Sequence, residues 1–136
     1  DAVFSAVFQE DRLCENLTAA ANIRLVTGNK RVAAEITQAL EAVGLPGCAD
    51  KPVRELSGGM KRRVALVRER RVAMVRALLA EYSVIVLDEP FKGLDESTRA
   101  TVAEYCRKML AGKTAIVVTH DRSDCEALSA ADVVEL

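Results

Sequence analysis

Ser83–Pro90 reads SVIVLDEP, an uninterrupted apolar run that ends in two adjacent carboxylates, Asp88 and Glu89, and a proline. A run without polar alternation is what a strand buried on both faces looks like. Working outward, Lys113–Thr119 (KTAIVVT) has the same character, Ala2–Phe8 (AVFSAVF) gives a third strand ending at Gln9, and Asp132–Leu136 (DVVEL) begins a fourth. Helical spacing fills the intervals: Glu10–Val26, Lys30–Val43, Ser57 to about Tyr82, Glu96–Leu110 and Asp121–Ser129. Gly28, Gly44 and Gly112 serve as helix stops, and Gly44–Val53, with two of the three prolines, is a loop. Strands alternating with helices define an α/β chain with a parallel sheet.

Composition narrows the choices. With 136 residues, half of them hydrophobic, the chain can build one apolar core but not two. The formal net charge of −1 gives no global field for nucleic acid or an anionic membrane. Cys14, Cys48, Cys106 and Cys125 are widely spaced with no CxxC pair, the pattern of free thiols in a reducing compartment. No apolar run approaches the roughly 20 residues that span a bilayer, so a membrane role would act through a partner.

Ligands of open parallel sheets bind outside the carboxyl ends of the strands. Three strands here end in reactive groups: Gln9, then Asp88 and Glu89, then Thr119 and His120. A carboxylate at such an end can hold Mg²⁺. A second one can position or deprotonate an attacking water, and an imidazole can contact a terminal phosphate. Leu56–Met60 (LSGGM) adds adjacent glycines at a helix start, which cost about 1 kcal/mol each relative to alanine. Bare N–H groups after a serine at a helix amino end make an anion site.

These pieces together resemble the ABC ATPase family over essentially the whole chain. LSGGM with the helix that follows is similar to the signature, VIVLDEP to Walker B, GLDE at Gly93–Glu96 to the D-loop, Thr119-His120 to the switch histidine, and AVFQEDRL at Ala6–Leu13 to the Q-loop. FQEDRL and DEPFKGLD are similar to bacterial importers of the nitrate, sulfonate and taurine type. The resemblance implies a P-loop NTPase fold, with residues 10–55 as a helical subdomain and 56–136 as signature helix and carboxyl-terminal α/β core. It implies ATP and Mg²⁺ as ligands. Asp88 would hold the metal with Gln9 nearby, Glu89 would be the base, and His120 would assist. Ser57, Gly58 and Gly59, with Asp95 of the D-loop, would meet nucleotide at the interface with a second ATPase subunit. A transmembrane permease would be the other partner, with the chain cytoplasmic on the inner face of the membrane.

Two features depart from the family pattern. The glycine-rich phosphate loop, G-x-x-x-x-G-K-[ST], has one candidate, Gly112-Lys113-Thr114. Its earlier glycine is Arg107 and it leads from a helix into a strand, so Gly112 is read as a helix stop and Walker A as absent. A second reading follows, a non-catalytic relic or interaction module unable to bind ATP alone. An unfilled strand position would also expose sheet edges that invite pairing. The other departure is a tandem repeat: Arg62–Glu69 (RRVALVRE) and Arg70–Ala77 (RRVAMVRA) differ only at Leu66/Met74 and Glu69/Ala77. Eight residues add about 12 Å of helix and turn it about 80°. Such an insert lengthens the helix, bends it or is expelled as a bulge. The cations of this helix (Lys61, Arg62, Arg63, Arg68, Arg70, Arg71, Arg76) read as a solvated or phosphate-proximal face, with nucleic acid as the alternative.

Overall fold

The structure, a computed structural model, describes residues 1–8, 12–56 and 62–136. Its elements are β1 (Phe4–Val7), α1 (Ala19–Thr27), α2 (Ala33–Ala42), α3 (Arg62–Leu79), β2 (Val84–Asp88), α4 (Glu96–Leu110), β3 (Thr114–Val118) and α5 (Arg122–Ala127), with short 3-10 turns at Gly28–Lys30 and Val53–Glu55. The three strands form one parallel sheet in the order β1-β2-β3. The α/β architecture expected from the sequence is therefore present.

Local chemistry sets the helix limits. The helix expected from Glu10 starts only at Ala19, where the Thr18 hydroxyl accepts from the Ala21 N–H as an N-cap, a bond worth about 1 kcal/mol. Upstream, the buried Asn22 side chain accepts from the Cys14 N–H and donates to the Cys14 and Thr18 carbonyls. That network holds Cys14–Thr18 in a non-helical path. In α2 the start moves from Lys30 to Ala33, and Val32, expected on the buried side, is the extended cap and stands exposed. Ile36, Ala39, Leu40 and Val43 are buried as their spacing requires. Glu96–Leu110 is helical as read, because Asp95 caps it and Gly112, at φ +74°, follows its end.

The sheet has unequal faces. Val7, Ile85 and Leu87 are buried on one face, where the Ser5 hydroxyl also donates to the Ala77 carbonyl of α3. On the other face Phe4, Ile116 and Val118 are more than half exposed, and Val84 and Val86 are half-buried. The expectation of strands buried on both faces is thus corrected: helices cover one face, and β3 is a largely exposed edge strand. Asp132–Leu136 forms no strand, since it has no neighbouring strand to pair with among the described residues, and Val133, Val134 and Leu136 stay exposed. A groove of about 1040 Å³ lies between this tail, β3 and α5.

The repeat stays helical from Arg62 through Leu79. Its copies are treated differently: Val64 and Leu66 of the first are 42% and 48% exposed, whereas Val72 and Met74 of the second are 0% and 1% exposed. Several cations of α3 serve the fold. Arg68 donates to the Leu56 carbonyl, Arg71 to the Val43 and Gly44 carbonyls at the end of α2, and Arg76 to the Arg12 carbonyl. Burial lowers the Arg71 pKa below its ordinary value. Each such bond satisfies a carbonyl that a helix end or loop leaves open. One apolar cluster joins α1, α2, α3, β2 and α4. Within it the Cys106 thiol meets the Met74 sulfur at 3.5 Å, and burial pushes its pKa up to about 12.

Candidate functional site

The parallel sheet puts the carboxyl ends of all three strands on one edge. There Asp88 ends β2 beside Val118 in register, and Glu89 follows it. The Glu89 N–H donates to the Val118 carbonyl at 2.8 Å, which locks the peptide across the β2–β3 junction. Its φ of +48° is unusual for a non-glycine residue and turns its side chain sharply from the strand path. The Glu89 side chain is 8% exposed.

Its carboxylate faces the segment after β3. Glu89 Oε1 accepts from the His120 N–H at 3.1 Å and lies 3.4 Å from His120 Nε2. Glu89 Oε2 is 3.4 Å from Thr119 Oγ1. The imidazole is 97% exposed, so its outer edge is open to a ligand. Asp88 is half-buried and its side chain has no hydrogen-bond partner among the described residues. The structure therefore unites Glu89 and His120 in direct contact, with Asp88 adjacent.

Asp95 is placed differently. It caps α4, accepting from the Thr98 N–H at 2.7 Å and the Ser97 hydroxyl at 3.2 Å, and these bonds hold its carboxyl below its ordinary pKa. A depressed carboxylate contributes stability above its unfolded pKa, near 4, that is lost as pH falls through the folded value. Asp95→Asn keeps a capping side chain. It should therefore lose less stability than the parent between pH 6 and pH 2 in urea titrations; equal acid sensitivity would remove the carboxylate from this role. The positions Gln9, Ser57, Gly58 and Gly59 lie outside the described residues.

Sequence reading missed Asp124 and Arg99. Asp124 is buried on α5, pairs with Arg99 Nη2, and accepts from the Thr119 hydroxyl at 2.5 Å. Arg99 also reaches Asp121 at 3.6 Å and sits 5.9 Å from the Phe91 ring centroid. A hydroxyl has one proton, and the shorter bond assigns it to Asp124 rather than to Glu89. Hydrogen bonds from the Ser123 hydroxyl and N–H hold Asp121 below its ordinary pKa. The available signal was the spacing Asp121-x-x-Asp124, which reads only as a helix start. Lys113, in the rejected phosphate-loop candidate, donates to the Tyr82 carbonyl and lies 4.8 Å from the Tyr82 ring centroid. Its ammonium serves packing.

The parallel sheet flanked by helices, with Asp88, Glu89 and His120 at its carboxyl edge, has the α/β architecture of the P-loop NTPase fold. The chain belongs to the ABC transporter family, whose profile matches residues 1–92. It is 36% identical over 135 residues to the thiamine import ATP-binding protein ThiQ of Jannaschia sp., covering 94% of this chain and 56% of that protein. It is 37% identical over 125 residues to the aliphatic sulfonates import ATP-binding protein SsuB 1 of Pseudomonas syringae pv. syringae, with 90% and 49% covered. Among solved structures, the dimeric post-hydrolysis state of the ATP-binding cassette MJ0796 bound to ADP and Pi aligns with a TM-score of 0.71 at 26% identity, covering 93% of this chain and 56% of that one. The chain spans about half the length of the curated relatives it matches.

Proposed function

We propose that the chain forms part of an ATP-binding, ATP-hydrolysing subunit that energises solute import through a membrane permease. The observation that carries this is the Glu89–His120 pair beside Asp88 on the sheet's carboxyl edge. Mg²⁺ is held by one or two carboxylates together with phosphates and water rather than by a protein cage. The residues fit it: Asp88 has its oxygens available, and no three His, Cys, Asp or Glu side chains gather into a cage among the described residues. Bound there, Mg·ATP supplies an electrophilic terminal phosphate.

In this reading Asp88, with Gln9, holds the metal. Glu89 orients an attacking water and accepts its proton at Oε1 or Oε2, and His120 touches the terminal phosphate. Ser57, Gly58, Gly59 and Asp95 act at the interface with a second ATPase subunit. Residues 10–55 form the subdomain that meets the permease, and 56–136 the signature helix and α/β core. No helix among the described residues is long and apolar enough to cross a membrane. In this reading the subunit works from the inner membrane face through its permease.

The test is equilibrium binding of Mg·ATP to the chain joined to the amino-terminal segment of its thiamine-import relative, which completes the length. Micromolar to sub-millimolar affinity is expected, with Asp88→Asn weakening it at least tenfold in Mg²⁺ and leaving it unchanged in EDTA. A folded chimera that does not bind, or in which Asp88→Asn has no effect, overturns the reading.

A further inference from the structure

His120 is the chain's single histidine, and its imidazole is 97% exposed. A side chain with so little packed against it takes its position from its backbone and from the Glu89 carboxylate. The sheet does not fix that backbone, because the β2–β3 ladder stops at the Asp88–Val118 pair. From Thr119 onward the path is set by side chains.

Both chain neighbours of His120 are tied, and the ties converge on one guanidinium. Upstream, the Thr119 hydroxyl accepts from the Asp121 N–H at 3.0 Å and donates to Asp124 Oδ2 at 2.5 Å. Downstream, Asp121 Oδ1 accepts from the Ser123 N–H at 2.9 Å, and its Oδ2 lies 3.6 Å from Arg99 Nη1. Arg99 Nη2 donates to Asp124 Oδ1 and to the Ser123 hydroxyl, each at 2.5 Å. One planar fork therefore holds three groups around the turn, which a lysine ammonium on a flexible stem cannot match. Arg99 is itself fixed. Its backbone N–H donates to the Asp95 carbonyl at the start of α4, and its guanidinium sits 5.9 Å from the ring centroid of buried Phe91, two residues after Glu89.

We propose that Arg99 and Asp124 are positioning residues for His120: they clamp its neighbours Thr119 and Asp121, and so hold the imidazole at the Glu89 edge. They act through the backbone of the turn. The consequence for turnover rests on the ATP-hydrolysing reading, whereas the clamp is defined without nucleotide.

Labelling with [15N]histidine gives one backbone amide signal, that of His120, whose N–H donates to Glu89 Oε1 at 3.1 Å. In the nucleotide-free chain, Thr119→Val removes the hydroxyl at nearly constant shape and should speed hydrogen exchange at this amide about tenfold or more. That gain should exceed, by about fivefold or more, any gain at the slow amides of β2 and α4, which report opening of the whole fold. Thr119→Ser keeps the hydroxyl and should return exchange to within about threefold of the parent. Arg99→Lys keeps the charge, loses the fork, and should speed exchange at His120 about fivefold or more. In a completed subunit Thr119→Val should lower kcat about tenfold and leave the KM for ATP within about threefold. Exchange at His120 that rises no more than the β2 and α4 rates, or that serine does not restore, overturns the proposal. So does an unchanged kcat beside a loosened His120. A completed subunit that hydrolyses no ATP overturns the ATP-hydrolysing reading instead, and the exchange rates, taken without nucleotide, still decide the clamp.

Discussion

Asp124→Ala is expected to cost about 2–4 kcal/mol, near the lower part of the range for breaking a buried ion pair. Asp124 has a 6% exposed side chain and binds two partners that depend on it, Arg99 and Thr119. Alanine leaves the guanidinium without its inner carboxylate. The loss is moderated because the Arg99 side chain is 24% exposed and retains Asp121 and Ser123. The Thr119 hydroxyl also loses its short acceptor and is left with Glu89 Oε2 and the Asp121 carbonyl, each at 3.4 Å. A chain of this size should show a melting temperature lower by roughly 6–15 °C. Thr119→Val combined with Asp124→Ala should cost less than the sum of the two, because the second change removes a bond already broken. Additive costs would show that the hydroxyl and carboxylate act independently.

Glu89→Gln should lower the ATP turnover of a completed, competent subunit by about 10²–10⁴, the range for loss of a general base, with ATP affinity kept within about threefold. Glutamine preserves the length and planarity of the side chain and can still accept from the His120 N–H. It cannot take a proton from water. The backbone constraint makes the substitution a clean one. The Glu89 peptide is fixed by its bond to Val118 and its left-handed φ, and both persist in the variant. Turnover reduced less than tenfold would move the base elsewhere, whereas loss of ATP binding would make Glu89 a structural residue.

How far the sequence reaches depends on the range of the interactions that decide each feature. Strand positions, the parallel order of strands and helices, and the limits of α4 are written locally, in apolar runs, the Asp95 cap and the Gly112 stop. The carboxyl-edge grouping of Asp88, Glu89 and His120 follows from parallel topology alone. The contact between Glu89 and His120 does not, because it needs the turn at Glu89. Burial of β3 was misread because an apolar run records what a strand can pack against, and no second layer covers that edge among the described residues. The segment Asp132–Leu136 failed for the same reason, since a strand exists only when something pairs with it. The delayed start of α1 was hidden in the Asn22 side chain, a polar residue whose hydrogen bonds with Cys14 no periodicity reveals. Asp124 was invisible because its partner Arg99 lies on another helix.

The Cys106 thiol, set against Met74 between α3 and α4, gives the core a built-in clock. Only the thiolate attacks alkylating reagents, and a thiol with a pKa near 12 in a closed cluster forms almost none of it. Its alkylation must therefore wait until α3 and α4 part. At high reagent concentration the rate is that of the opening step itself, and at low concentration it reports how often the open form is visited.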